Sequence, residues 1–470
     1  MQSNRVPSAA DARRDMLASM PVKKLLWTLS LPAMAGMLTM SLYNVVDTIF
    51  IGRGVGSIAL TGVTLAFPVM MVLMALGFMV GIGAASTASI SLGAGNIPRA
   101  ERTLGNAATL SVVLGLLVMA VTIPNSAALV RLFGASPAAM QPAVEYLDII
   151  LLGAVFALFP MAINNMARAE GAARVAMVNM ILGSVLNVVL DPLFIFGLHM
   201  GVRGAAVATV ISQAVTSVYV SRYFLSGRST LRLRRANLLL SRGVTRAILS
   251  VGFPSLIRMS AASVIVLLIN RALGTYGGDI SIAAFGVVNR AQQFLSMPLI
   301  ALAQGLQPVV GFSYGARRYD RALDVSRYAL KLSTGVSLAA CLVMVTVPGM
   351  VMRVFTTDPA LIAEGVRAGR LMSLGFFLVG YQVVGSTVFQ SLGMVLKTLV
   401  TQTSRQILVL VPLVLLLPPL LGTDGVWLAH PVSDVLSFFL VLFLLLPQLR
   451  ELKRRQEARP SEESHGVDSP

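Results

Sequence analysis

Long apolar segments separated by short polar stretches restrict the fold of this chain more than any other feature. At about 20 residues per membrane crossing, we predict about twelve spanning helices, near residues 25–51, 58–92, 100–123, 138–168, 173–197, 203–224, 245–273, 280–313, 321–348, 359–391, 396–421 and 425–447. The composition agrees, since 56% of the residues are hydrophobic and 12% are charged, which does not suit a water-soluble domain. We therefore predict an all-α membrane protein.

Basic residues are concentrated on one side of these spans. They precede span one and fill the central linker, and they also follow spans two, eight and twelve. The positive-inside rule then predicts a multi-pass protein of the inner or plasma membrane with both termini in the cytoplasm. The net charge of +17 is expected to face anionic lipid headgroups and not nucleic acid. The first apolar segment has no cleavage pattern before it and is predicted to be a retained span.

The chain is a tandem repeat. Pro32 corresponds to Pro254 (254 − 32 = 222), and the same offset carries Gly93-Ala94 to Gly315-Ala316. Each half holds an even number of spans, so the halves are expected to be parallel six-helix bundles, as in transport folds that bind substrate between two halves. The predicted organisation is a cytoplasmic tail at 1–20, an N-lobe at 21–225, an exposed cytoplasmic linker at 226–243, a C-lobe at 244–449 and a second tail at 450–470.

Two acidic residues, Asp47 and Asp191, lie inside predicted spans. A carboxylate near the centre of the bilayer costs roughly 2.5–3.5 kcal/mol, and such residues usually bind an ion, a proton or a ligand. The repeat places Ile269 at the position of Asp47, and the match of Pro192 with Pro412 places Val411 at that of Asp191. Because the scaffold is duplicated and the acids are not, we predict that they couple transport to an ion.

Three polar residues fall at the same predicted depth as these acids. Asn187 lies one helical turn before Asp191, and Thr209 and Tyr146 are similarly far from the outer ends of their spans. Together with the acids they form a predicted site for H⁺, because two carboxylates at one desolvated level cannot both ionise cheaply. The neutral oxygens also suit a hard cation such as Na⁺. Taken singly, each of the three is as well explained as a hydrogen bond between helices.

A proline and a set of arginines complete the candidates. Pro32 removes a backbone donor, so helix one either bends there during function or has a static kink. The predicted spans of the second half contain three arginines, Arg258, Arg290 and Arg405, but few acids. Asp434 is predicted to lie at a depth similar to that of Arg258 and Arg290. Either Asp434 pairs with Arg258 or Arg290, or these residues line a C-lobe cavity that tolerates anionic or zwitterionic ligands. We find no metal-ligand spacing and no nucleophile with a base, so no metal, cofactor or enzyme chemistry is predicted.

The motifs of both lobes resemble a known family. Pro32 followed by Tyr43-Asn44-Val45-Val46-Asp47 and Ile51-Gly52, with Ser184, Asn187 and Asp191-Pro192, resembles the multidrug and toxic compound extrusion (MATE) transporters over essentially all of 20–450. The resemblance implies an N-lobe cation site at Asp47, Asn187, Asp191 and Thr209, with Tyr146 nearby and Pro32 as the bending point. It also implies H⁺- or Na⁺-driven antiport of amphipathic organic compounds. We expect the protein to be a monomer. One branch has an acid in helix seven, and none occurs here from Ser255 to Tyr276. The alternatives are a lipid-linked oligosaccharide flippase of the same superfamily and, more distantly, a membrane-embedded enzyme.

Overall fold

The structure is a computed structural model that describes residues 9–54 and 57–458, without the side chains of 9–11, 49 and 51–60. The outermost parts of both predicted tails, and the Ile51-Gly52 side chains, lie outside these residues. No strand occurs in the described part of the chain, which forms nineteen α-helices. These are α1 (Ala9–Ser19), α2 (Val22–Gly54), α3 (Ser57–Gly93), α4 (Ile97–Thr122), α5 (Ser126–Leu132), α6 (Pro137–Leu152), α7 (Ala154–Ala169), α8 (Ala173–Pro192), α9 (Gly201–Leu225), α10 (Arg242–Tyr276), α11 (Gly278–Gly315), α12 (Tyr319–Thr346), α13 (Pro348–Phe355), α14 (Pro359–Ser373), α15 (Val379–Ser391), α16 (Val395–Thr403), α17 (Val411–Leu416), α18 (Pro418–Leu421) and α19 (Thr423–Glu457).

The described helices provide the predicted number of membrane crossings. Ten stretches are long and apolar enough to span, and two bent helix pairs raise the number to twelve. The bent pairs are α6 with α7, at 51°, and Pro359–Ser373 with Phe376–Ser391, at 44°. They correspond to the predicted spans 138–168 and 359–391. The prediction of an all-α protein with about twelve spans is therefore confirmed.

Both bends occur at a glycine that packs closely against another span. A Cβ atom on Gly153 would lie 2.5 Å from Cγ2 of Val210 on α9, and one on Gly375 would lie 2.7 Å from Cβ of Asp434 on α19. These glycines are also repeat partners, since 375 − 153 = 222. A glycine at each break allows two helices to approach more closely than any side chain would permit.

The chain forms two compact units, and their limits differ from the predicted lobes. Unit 1 takes in the residues up to Met20 and Leu31–Leu256, and unit 2 takes in Pro21–Ser30 and the residues from Ile257 onward. The first residues of α2 thus belong to unit 2, and those of α10 belong to unit 1. In both helices the change of unit falls within two residues of the repeat-related prolines, Pro32 and Pro254. The predicted linker at 226–243 lies wholly in unit 1.

The predicted linker, residues 226–243, runs along unit 1 as a strap, and its first part is held by a buried acid, Glu170. The carboxylate of Glu170 is 1% exposed; its Oε2 accepts hydrogen bonds from Ser229 Oγ at 2.6 Å and from the backbone N–H groups of Thr230 at 3.0 Å and Leu231 at 3.2 Å. Its Oε1 accepts a hydrogen bond from the Tyr223 hydroxyl. Burial raises the pKa of Glu170, and these hydrogen bonds oppose that shift.

Asn106 on α4 holds the second half of the strap. Its Nδ2 donates to the carbonyl oxygens of Asn237 at 3.1 Å and Leu239 at 3.0 Å. Its Oδ1 accepts from the backbone N–H of Ser241 at 2.8 Å and the hydroxyl of Thr245 at 3.2 Å. One side chain therefore satisfies four polar groups where the strap enters α10.

A third contact connects the two halves of the strap. Glu101 accepts a hydrogen bond from the backbone N–H of Arg232 at 3.2 Å and pairs with Nε of Arg234 at 3.4 Å. Most strap side chains are exposed, as predicted. The prediction of a simple connector nevertheless missed its anchoring, because the anchors come from α4 and from the residue after α7.

Candidate ion-coupling site

The two acids that the sequence singled out meet in unit 1. Asp47 lies on α2 and Asp191 in the last turn of α8, and their carboxyl groups are in hydrogen-bonding contact. Asp191 is completely buried. Two carboxyl oxygens in contact attract each other only when a proton lies between them, because two carboxylates would repel strongly in a medium of low dielectric constant. The geometry therefore brings together a pair that can hold one shared proton.

Asn187 connects this pair to Thr209 on α9. When its amide is oriented to complement an ionised Asp191, Nδ2 donates to Asp191 Oδ2 at 2.7 Å, and Oδ1 accepts from the hydroxyl and the backbone N–H of Thr209, both at 3.2 Å. Asn187 is 2% exposed and Thr209 is 8% exposed. The sequence prediction that these residues lie at one level is consistent with this contact.

Two tyrosines border the acids. Tyr146 on α6 is 3% exposed, and its hydroxyl lies close enough to Asp47 and Asp191 to interact with their charges. Tyr43 lies one turn before Asp47 on α2, and its hydroxyl lies close to Thr209 and to both acids. Tyr146 was predicted to lie near the site, whereas Tyr43 was not assigned to it. The four-residue spacing from Asp47 could have identified Tyr43, because such a pair shares one helix face.

Each acid also has an oxygen atom with no partner. Oδ1 of Asp47 and Oδ1 of Asp191 are buried and accept no hydrogen bond from the described residues. Such atoms are costly unless they bind something. Within the described part of the chain, no group of three or more His, Cys, Asp or Glu residues could hold a metal ion. A bare cation would thus depend on the two carboxylates together with neutral oxygens.

In the C-lobe, the structure corrects the predicted partner of Asp434. Nε of Arg405 donates to Asp434 Oδ1 at 2.5 Å, and no described ion pair joins Asp434 to Arg258 or Arg290. The contact is reinforced because Ser433 Oγ donates to the Arg405 carbonyl at 2.5 Å and Gln382 Nε2 donates to the Asp434 carbonyl at 2.7 Å.

The error has a structural origin. Arg405 lies in a π-helical segment, Ser404–Leu410, between α16 and α17. Each residue of such a segment turns less than in an α-helix, so the direction of Arg405 could not be read from an α-helical pattern. Asp434 thus pairs with an arginine, as predicted, but that arginine is Arg405 and not Arg258 or Arg290.

A tandem of helical spans with a buried polar cluster in one half defines a multi-pass membrane transporter. The MatE family model matches residues 32–193 and again 254–416, and the chain belongs to that family. The double match agrees with the repeat and with the resemblance found in the motifs. Proteins of this family are transporters and not enzymes.

The chain is also similar to named relatives over nearly its whole length. It is 27% identical over 417 residues to the multidrug export protein MepA of Staphylococcus haemolyticus (strain JCSC1435), covering 88% of this chain and 91% of that protein. A MATE solved in the bent conformation is 28% identical with a TM-score of 0.89, covering 96% of this chain and 99% of the other. A MATE solved in the straight conformation is 29% identical with a TM-score of 0.88, covering 94% and 99%.

Proposed function

We propose that this protein exports amphipathic organic compounds by cation-coupled antiport and alternating access, with Asp47 and Asp191 as the coupling groups. The observation that supports this most is the contact between two carboxyl groups that have no counterpart in the second half. The name of the relative MepA, a multidrug export protein, supports the substrate class.

A proton is the coupling ion that this contact favours. A carboxyl pair in contact binds one proton and releases it when either acid moves away, since each then regains its own partners. Na⁺ is the second candidate, because the unpartnered oxygens of both acids could join those of Asn187 and Thr209 around a small hard cation.

The wider proposal concerns orientation and assembly. Both termini face the cytoplasm, anionic lipids surround the basic side, and the protein acts as a monomer. The pairing of Arg405 with Asp434 weakens the flippase alternative, because it neutralises one of the arginines that a basic groove would need.

Pro32 is the proposed bending point of α2. The helix continues through Pro32 in this structure, while MATE transporters have been solved in bent and straight conformations. Replacing Pro32 by Ala restores a backbone donor and should slow export without removing ion binding. Pro254→Ala is the matched control at the repeat position, and equal loss in both variants would contradict a special role for Pro32.

The coupling ion can be tested with purified protein in proteoliposomes. We expect an imposed pH gradient to drive ethidium export and an Na⁺ gradient at equal pH on both sides to drive none. Export driven by Na⁺ alone would identify Na⁺ instead. Export that follows neither gradient would overturn the assignment of an ion-coupled antiporter.

A further inference from the structure

One face at the start of α10 forms an open groove of about 700 Å³. Its two ends differ in character. Arg242 and Arg246 line the end near the helix start, whereas Leu249 and Phe253 line the end that lies deeper along the helix. Thr245 and Ser250 add hydroxyl groups to the wall. A charged end followed by an apolar end matches a molecule with an ionic head and a hydrocarbon tail.

A neighbouring face of α10 packs against α3 and fixes the direction of this groove. A Cβ atom on Gly252 would lie 1.8 Å from the Met79 carbonyl oxygen, and one on Gly83 would lie 2.0 Å from the Ile248 carbonyl oxygen. The backbones of α3 and α10 are therefore in direct contact, which leaves no room for α10 to rotate. The hydrogen bonds of Asn106 to Ser241 and Thr245 fix the helix start as well.

The groove carries positive charge without compensation. Arg242 and Arg246 are both exposed, and neither belongs to an ion pair among the described residues. Side chains four residues apart on a helix are neighbours, at about 5–6 Å between Cβ atoms. Two guanidinium groups at that spacing can hydrogen-bond one phosphodiester together, because arginine offers donors in a planar fork.

We propose that this groove binds one anionic glycerophospholipid. The phosphate lies between Arg242 and Arg246, and an acyl chain follows Leu249 and Phe253, whose side chain is 43% exposed. Inorganic phosphate fits less well, because it would leave the apolar half of the groove uncovered. The site is independent of the coupling acids and of the proposed transport mechanism.

Native mass spectrometry of the full-length protein tests the site directly. Phosphatidylglycerol and phosphatidylcholine are titrated onto the wild type, onto Arg242→Gln/Arg246→Gln, and onto Arg99→Gln/Arg102→Gln. The last variant removes the same charge from exposed arginines in the first two turns of α4. At about 1 kcal/mol per basic side chain, we expect the groove variant to bind phosphatidylglycerol about 30-fold more weakly. The α4 variant is expected to bind like the wild type.

Two further measurements separate the contribution of the lipid headgroup from that of the acyl chain. Phe253→Ala should also weaken phosphatidylglycerol binding, and millimolar inorganic phosphate should not displace the lipid. Equal binding of the two lipids by the wild type would overturn the proposal, as would unchanged binding by the groove variant. Equal losses in the groove and α4 variants would show that net charge alone is responsible, and displacement by phosphate would show an anion site without a lipid.

Discussion

The two halves of the chain use one scaffold for two different electrostatic arrangements. In the first half, the buried Asp191 faces the half-buried Asp47, and their hydrogen-bonding neighbours are neutral. In the second half, Asp434 is the one buried acid among the described residues, and it has a direct basic partner, Arg405. The first arrangement can gain or lose a proton or cation, whereas the second is already neutralised. The comparison therefore favours the first half for the proposed ion coupling and the second half for a structural role.

Two further ion pairs, which the sequence predicts to lie nearer the outer ends of the spans and which we call the outer ion pairs, show the same divergence more clearly. Glu145 on α6 pairs with Arg203 on α9 at 2.7 Å, and Arg367 on α14 pairs with Asp424 on α19. Glu145 and Arg367 are repeat partners (367 − 145 = 222), so the signs of the two pairs are exchanged. The repeat preserves where charges meet but not which helix carries which charge.

The largest expected effect comes from neutralising the coupling acids. Asp47→Asn and Asp191→Asn should each reduce gradient-driven ethidium export to background while the protein still inserts and folds, because removing a buried charge eases insertion. Asp148→Asn is a matched control on α6, since its Oδ1 is also buried without a described partner. Efflux assays in proteoliposomes provide the measurement. Full export by both coupling variants, or equal loss in the control, would remove these acids from the mechanism.

Moving an acid to the other half sharpens this comparison. Asp47→Ile/Ile269→Asp keeps the acid count but transfers one carboxyl to the repeat position. We expect no recovery of export, because the second half has Val411 where the first has Asp191 and so offers no second carboxyl group. Recovery in the same efflux assay would show that position within the repeat, and not the surrounding cluster, makes an acid functional.

The second effect concerns stability in the C-lobe. Asp434→Ala leaves Arg405 without its partner. Breaking a fully buried pair costs about 3–5 kcal/mol, and because the Arg405 side chain is 31% exposed we expect a loss at or below the lower value. We expect a large drop in thermal stability with little change in transport per folded molecule. Arg290→Gln is the control, because Arg290 was the predicted partner and is not paired with Asp434. Denaturation curves measure the stability, and efflux per folded protein measures the transport. A stable Asp434→Ala variant with altered substrates would instead indicate that Asp434 lines a substrate-binding cavity.

The fold was predictable from the sequence to a greater extent than the site. Twelve apolar segments and the 222-residue offset identify spans and repeat, since both depend on composition along the chain. The depth of Asp47, Asn187, Asp191 and Thr209 follows from helix rise alone, so their grouping could be predicted. The partner of Asp434 could not be predicted, because it depends on a local π-helical turn. The anchors Glu170 and Asn106 were also missed. The 222-residue offset places Leu392 at the position of Glu170 and Tyr328 at that of Asn106, so the repeat could have shown that neither polar residue is duplicated.

A third and smaller effect compares the two bends. On Gly375 a new Cβ would lie 2.9 Å from the Pro431 Cα atom, which is backbone, while on Gly153 the nearest atoms belong to the Val210 side chain. Overpacking costs about 1–3 kcal/mol, and we expect Gly375→Ala to be near the upper value and Gly153→Ala near the lower, because a side chain can shift more easily. Thermal denaturation of both variants measures this difference. A greater loss at Gly153 would contradict this account of the bends.

The smallest effect is expected at the outer ion pairs, because Arg203 and Arg367 are largely exposed and solvent screens such pairs. Glu145→Arg places two like charges together and should lower thermal stability slightly. Glu145→Arg/Arg203→Glu gives the first half the polarity that the second half already has, and it should restore the loss. Thermal denaturation at low and high salt provides the measurement, since screening should shrink the effect of the single change. If the double variant were less stable than the single one, the sign of each pair would be fixed by its surroundings, and the equivalence of the two outer pairs would fail.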